Sequence, residues 1–337
     1  MSNYCKSIIK FYGLNPENCK IICKDQESLI INVNGKKVSL RRWLIMRILD
    51  CFSWNKISDI TANIGEIKKN FDAVQIQPIQ PHKAINEQYR DNEWWKNFQV
   101  NGFSIGNEHG DIEDIKELCS TGITVIANIV LTHMSGDERD HLTPNKEVDD
   151  ILKQNPYFWR EKKNIDYNSR YSVINYCNGC PSLRMDNWDL QDIIIKFMNS
   201  LIDAGVRGFR IDSGKMISTP EEDGNTFWPR VLDSLHHKDE LFIYAEVIFP
   251  SKQLIEKYSK YVKVLKELSH TSYEVDKNST VNFIESHDSY LDKTIGFTAR
   301  LTDDQVIENY RYLVRDFPHT VFYNRPNSDM WRRVWEK

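Results

Sequence analysis

Gly205-Val-Arg-Gly-Phe-Arg-Ile-Asp-Ser-Gly-Lys215 is an apolar run that carries charge at alternate positions near its end. Strand side chains alternate between faces, so Phe209 and Ile211 share one face, and Arg210 and Asp212 share the other at the strand's C-terminal end. A buried Arg–Asp pair there reads either as a structural ion pair or as part of a reaction centre, and such pairs by themselves are weak support for stability. The ending recurs. Leu241-Phe-Ile-Tyr-Ala-Glu-Val247 and Val281-Asn-Phe-Ile-Glu-Ser-His-Asp288 each place an acid just past an apolar strand. In parallel α/β folds several strand ends converge on one site, so Asp212, Glu246 and Asp288 are expected to meet. Meeting carboxyls suit glycosidic chemistry, where one stays ionised as nucleophile and the other, its pKa raised, protonates the leaving oxygen.

Strand-like runs alternate with helical periodicity on both sides of this segment. Trp43 to Phe52, Ala73 to Ile79, Thr124 to Leu131, the strand before Asp212, Leu241 to Val247, Tyr261 to Leu265, Thr280 to Glu285 and His319 to Tyr323 make eight strands. Between them, Ile57, Ile60, Ile64 and Ile67 recur at helical spacing, as do Ile112, Ile115 and Leu118 after Asp111, and Leu190, Ile194, Phe197 and Leu201. Phe227 to Leu235 is a further helix, and Thr302 with Gln305 forms a capping box for another. Alternating strand and helix with eight strands predicts a (β/α)8 TIM barrel. The polar stretch from 134 to 181 is too long for a simple loop and predicts a small inserted domain after the third strand.

With 337 residues, net charge −4 and scattered Lys and Arg, the chain shows no basic field for nucleic acid. No apolar run is long enough to span a bilayer, and the start lacks the apolar core of a secretory signal, so a cytoplasmic protein with no membrane partner is expected. Seven cysteines, an odd number in a chain of this size, fit free thiols in a reducing compartment. Cys177-Asn-Gly-Cys180 has metal or redox spacing, but a single such pair is a weak signal.

Over roughly 43–323 the sequence resembles the α-amylase superfamily, glycoside hydrolase family thirteen. Phe71-Asp-Ala-Val-Gln-Ile-Gln-Pro78 is similar to the family's second barrel strand, Trp94-Trp-Lys-Asn-Phe-Gln99 to its aromatic substrate loop, and Asn128-Ile-Val-Leu-Thr-His133 to its first conserved region. Gly208-Phe-Arg-Ile-Asp-Ser-Gly-Lys215 resembles the nucleophile region, and Phe227-Trp-Pro229, Ala245-Glu-Val247 and Glu285-Ser-His-Asp288 complete the set in order. The resemblance implies Asp212 as nucleophile, Glu246 as general acid/base and Asp288 as the carboxylate that gathers substrate hydroxyls. Arg210 would keep Asp212 ionised, while His133 and His287 would donate to the sugar. Trp95 and Phe98 would offer ring faces to glucose, where the family usually has Tyr in place of Phe98. Gln99 and Lys215 are further substrate-binding candidates, with a solvated rim as the plain alternative. The implied reaction is a retaining double displacement, with carboxyl groups about 5–5.5 Å apart.

Departures from the family pattern shape the rest. Thr132 stands where a calcium-binding Asn is usual, Ser182 where an Asp follows Leu-Pro, and Met216 where a His follows the Lys. Calcium wants several oxygen ligands, so no structural calcium is expected there, with Asp137, Asp140 or backbone carbonyls as the groups that could rebuild a site. No cofactor is required for the chemistry. Ser286 replaces the Asn expected of chloride-activated members, and Asn128 replaces an acid that supports the site from the third strand. The span from Tyr261 to Thr280 predicts a reduced sixth helix, and the chain end at Lys337 leaves no room for the β-sandwich domain that follows the barrel in the family.

Residues 1–42 lie outside the resemblance; there Ser28 to Leu40 predicts a hairpin turning at Asn34-Gly35. The expected organisation is an extension over 1–42, a catalytic barrel over 43–133 and 182–337, and the insert. The implied function is hydrolysis of α-1,4 bonds in starch or glycogen-like glucan. Two alternatives stand beside it: transfer to another sugar within the same superfamily, and an inactive relative that binds glucan or a protein.

Overall fold

The structure is a computed structural model and describes residues 19–24, 28–33, 36–41, 45–86, 93–247, 250–267, 275–292 and 301–335. Two compact units divide the chain, Met1–Met46 and Arg47–Lys337. The first holds an antiparallel sheet of β1 (Cys19–Lys24), β2 (Ser28–Val33) and β3 (Lys36–Arg41), in that order. Val33 pairs with Lys36, which is the hairpin the sequence predicts, although the Asn34-Gly35 turn lies outside the described residues. The sequence reading misses β1. Its register shifts between Ile21 and Cys23, and an irregularity of that kind breaks the period-two pattern by which strands are recognised.

In the second unit eight strands form a closed barrel. They are β4 (Met46–Asp50), β5 (Ala73–Ile76), β6 (Thr124–Ile129), β7 (Gly208–Ile211), β8 (Phe242–Glu246), β9 (Lys263–Glu267), β10 (Thr280–Phe283) and β11 (His319–Tyr323). The seven neighbouring pairs from β4 to β11 are parallel. Every residue of β5, β6 and β7 is buried, as expected of strands covered on both faces. Gly208 is required at its position, because a Cβ there would lie 2.7 Å from the Phe242 carbonyl oxygen of β8.

Several strands end earlier than their apolar runs. Val130 directs its N–H to the Gln80 side chain at 2.9 Å instead of continuing the β6 ladder, and so turns the chain toward the loops. The isoleucine-spaced segment is two helices, Ile57–Ala62 and Ile64–Asn70. Asn63 separates them, its side chain donating to the Asp59 carbonyl in competition with the backbone. The long helix Trp188–Asp203 is capped by Asn187 and buries Leu190, Ile194, Phe197 and Leu201 along one face. The Thr302/Gln305 capping box is present at the start of Asp303–Asp316.

Between residues 134 and 181 the chain forms the short helices Asp150–Lys153 and Arg170–Asn175 and a few isolated bridges, within the same compact unit as the barrel. Where a sixth helix would lie, 268–274 fall outside the described residues and 275–279 are not helical. Among the described residues no helix is long and apolar enough to cross a membrane.

Candidate active site

Parallel register sets the site from below. Asn128 of β6, Arg210 of β7 and Tyr244 of β8 are consecutive pairing partners, so their side chains project to the same face, here the barrel interior. Tyr244 donates its hydroxyl to Gln75 of β5, and Arg210 donates to the Asn128 amide oxygen at 3.0 Å. Above this layer the Arg210 guanidinium holds both acids: Nη1 lies 2.5 Å from Asp212 Oδ1 and Nη2 lies 2.7 Å from Glu246 Oε1. Asp212 and Glu246 are both buried.

The turn after β7 aims a further donor. Ser213 adopts a left-handed conformation, φ 49° and ψ 32°, uncommon for a residue with a side chain, and its N–H reaches Glu246 Oε2 at 2.9 Å. Around it, the Tyr258 hydroxyl faces the Gly214 and Ile217 carbonyls at 3.1 and 2.5 Å, and Arg170 donates to the Lys215 carbonyl. Lys215 itself is half-buried, and burial pushes its ammonium below its usual range.

Burial raises the Glu246 carboxyl from 4.5 to about 7; Arg210 opposes the rise, while the charges of Asp212 and Asp288 add to it. Arg210 is held more firmly protonated than usual: burial opposes its charge, but Glu246, Asp212 and Asp288 outweigh that. Asp288 is the most open of the three, with its side chain 35% exposed and Oδ2 3.5 Å from His287 Nε2. Burial disfavours charge on His287, yet Asp288 and Asp50 raise its pKa, and Asp50 Oδ2 lies 3.7 Å from Nδ1. The turn bearing His287 and Asp288 is braced by Glu285, whose two oxygens each accept from Arg325 at 2.8 Å.

Aromatic rings form one wall. Phe52 and Phe98 stack on His287 with centroids 4.3 and 5.1 Å away, Trp94 meets it edge-on at 5.7 Å, and Arg210 lies 5.7 Å over Phe98. Trp95, by contrast, is 41% exposed and sits 5.9 Å from the Lys96 ammonium. Gln99 ends the same 3-10 turn, partly buried, with its carbonyl bonded to the Lys83 N–H. His133 is buried and held below its usual pKa, chiefly by desolvation. Its Nε2 donates to the Phe98 carbonyl at 3.0 Å and Nδ1 accepts from Thr132, so here His133 fixes the aromatic segment. Asp50 and Phe52 are the neighbours that sequence reasoning missed; the signal was an acid at the end of the first barrel strand, the pattern already noted for three others. Burial pushes the phenol of Tyr167, from the insert, above its usual range, and the charge of Glu246 adds to the rise.

A separate cavity of about 340 Å³ lies between the insert and the loops after β7, lined by Trp159, Tyr171, Tyr176 and Asn225 among others. None of the three acids lines it.

Residues 60–278 match the family model for the alpha amylase catalytic domain. The chain belongs to this family. It is 29% identical to an alpha-amylase of Clostridium acetobutylicum over 272 residues, 72% of this chain and 35% of that protein. With an alpha-amylase of Butyrivibrio fibrisolvens it shares 25% identity over 340 residues, 82% of this chain and 34% of the relative. The chain thus spans about a third of the length of these relatives. Wild-type alpha-amylase I of Eisenia fetida superposes with TM-score 0.64 at 19% identity, covering 84% of this chain and 68% of that one. Its mutant in complex with maltohexaose gives 0.65 at 18%, with the same coverage.

For this alpha-amylase family chain, the calcium that the sequence resemblance implies can be tested on the residues around Thr132, Ser182 and Met216. Beside Ser182 and Met216 lies the buried side chain of Arg160. It donates to the carbonyls of Leu183 at 2.9 Å, Val173 at 3.1 Å, Tyr176 at 3.2 Å and Met216 at 2.6 Å. Its own backbone N–H bonds to the Ser182 carbonyl at 2.8 Å, and the Leu183 N–H to that of Thr132 at 2.8 Å. The Thr132 hydroxyl is engaged with His133 and the Ser182 hydroxyl donates to Cys180. Asp137 and Asp140 serve local turns through Arg139, Leu142 and Thr143. Oxygens that could hold a metal here already face a cation, whose pKa burial lowers only to about 10, so the residues present do not fit a calcium ion at this place.

Proposed function

We propose that the chain is a retaining α-glucan hydrolase that cleaves α-1,4 bonds of starch or glycogen-like polysaccharide. The observation that carries this reading is the single guanidinium of Arg210 gripping Asp212 and Glu246 while Glu246 is raised to about 7. One carboxyl paired to Arg210 is suited to attack the anomeric carbon, and the other, protonated near neutral pH, is suited to protonate the departing oxygen. Once the glycosyl-enzyme has formed, Glu246 as carboxylate takes a proton from water, which releases the sugar from Asp212. Asp288 and His287 bind hydroxyls, Phe98 and Trp94 form the apolar wall, Trp95, Gln99 and Lys215 complete the proposed substrate contacts, and His133, its two ring nitrogens engaged by Phe98 and Thr132, positions the Phe98 ring.

In this reading no calcium takes part, since Arg160 supplies the positive charge. The free thiols of Cys51, Cys119, Cys177 and Cys180 support action in a reducing compartment such as the cytoplasm. Soluble starch tests the proposal. Wild type should abolish iodine colour and release short maltooligosaccharides, whereas Glu246→Gln and Asp212→Asn should each lower the rate by at least about a hundredfold. Products longer than the substrate would assign the site to transfer, and equal activity in wild type and both variants would reject the assignment of the acids.

A further inference from the structure

His82, Glu108 and His109 come together beside the aromatic wall, in a place that the proposed glucan chemistry does not use. One nitrogen or oxygen from each lies within 4.8 Å of the others. The hydrogen bonds of both rings fix which nitrogen is available. His82 Nδ1 faces the Lys83 carbonyl at 2.9 Å and His109 Nδ1 faces the Asn55 carbonyl at 2.8 Å. A carbonyl only accepts, so both Nδ1 atoms carry hydrogen and both Nε2 atoms of the neutral rings present lone pairs.

Each of those lone pairs meets another acceptor. His82 Nε2 is buried, has no hydrogen-bond partner among the described residues, and lies 3.2 Å from Glu108 Oε2. His109 Nε2 lies 2.9 Å from the Asn97 amide oxygen. Electron pairs facing one another at these distances call for a positive centre between them. Protons can supply it only in two separate ways, an imidazolium at His82 paired with Glu108 and a turned Asn97 amide donating to His109 Nε2. A single divalent ion supplies it once. Zinc sits about 2.0–2.2 Å from imidazole nitrogen and carboxylate oxygen, and two such bonds at a tetrahedral angle place their ligand atoms roughly 3.4 Å apart. Imidazoles tied through Nδ1–H to backbone carbonyls are also how metal-binding histidines are held.

We propose that His82 Nε2, His109 Nε2 and the Glu108 carboxylate, with the Asn97 amide oxygen as a fourth donor, bind one divalent transition ion of the zinc class. Two imidazoles suit zinc, nickel or cobalt and not calcium or magnesium, which take oxygen ligands. The ion joins three segments: the chain after β5 through His82, the turn Asn107–Gly110 through Glu108 and His109, and the 3-10 helix Trp94–Phe98 through Asn97. Asn97 precedes Phe98, whose ring stacks on His287, so the ion fixes the aromatic wall and does no chemistry.

The test needs no glucan, so its outcome is independent of the proposed hydrolysis. The full chain is stripped of metal, loaded with Co2+ or Zn2+ and desalted, and bound metal is counted by mass spectrometry, with visible absorption of the Co2+ form and melting temperature as second readouts. Wild type should hold one ion per chain, show cobalt ligand-field bands and melt higher with Zn2+. Glu108→Gln, at a half-exposed side chain that leaves the metal-free fold intact, and His82→Gln should weaken binding at least about tenfold and lose the bands. Wild type that retains no ion, or variants that bind as wild type does, would overturn the proposal.

Discussion

Glu246 is the residue whose surroundings say most about the reaction. Its carboxyl is raised to about 7, so the folded chain holds a proton that the unfolded chain loses above about 4.5. The stability this contributes is complete below that lower value and is lost as pH rises through about 7. Activity should fall in the same window, because the proposed general acid must be protonated: kcat/KM should decline about tenfold per pH unit above 7. In Glu246→Gln the stability loss across this window should shrink, as read from melting temperature against pH. An activity profile flat to pH 9 would contradict the assignment. At this scale much was legible, since Asp212, Glu246 and Asp288 all follow apolar strands. The second grip of Arg210 on Glu246 was not, because it depends on the register of β7 against β8 and has no local signature.

Among elements, the loops above the barrel are tied together by one buried cation. Arg160 draws together carbonyls from the insert, the segment after it and the turn following β7. Arg160→Ala would leave these oxygens buried without donors, at a cost on the order of 3–5 kcal/mol. Calorimetric melting with and without calcium checks this: calcium should leave wild type unchanged, while Arg160→Ala should melt markedly lower. A calcium-dependent rise in wild type would contradict the account. The altered positions Thr132, Ser182 and Met216 could be read from sequence. The bonds of Arg160 to the Leu183 and Met216 carbonyls could not, because that residue reaches them from the insert. Element type followed side-chain periodicity, and boundaries failed where a side chain captured the backbone, as Gln80 does at Val130 and Asn63 does to Asp59.

For the whole molecule, eight parallel strands closing on themselves bring residues from 50 to 288 to one rim, and this closure turns scattered strand-end acids into a site. The barrel could be read because a buried parallel strand leaves an apolar run and each helix an amphipathic one. The β1 strand and the pairing of His82 with His109 escaped, the first through its register shift and the second because the loops bringing them together carry no period. The central claim is that Asp212 and Glu246 act as a nucleophile and acid pair gripped by Arg210. Proton NMR of the reducing end newly formed from a maltooligosaccharide tests it most directly: the account predicts the α-anomer first, followed by mutarotation, and initial formation of the β-anomer would contradict it.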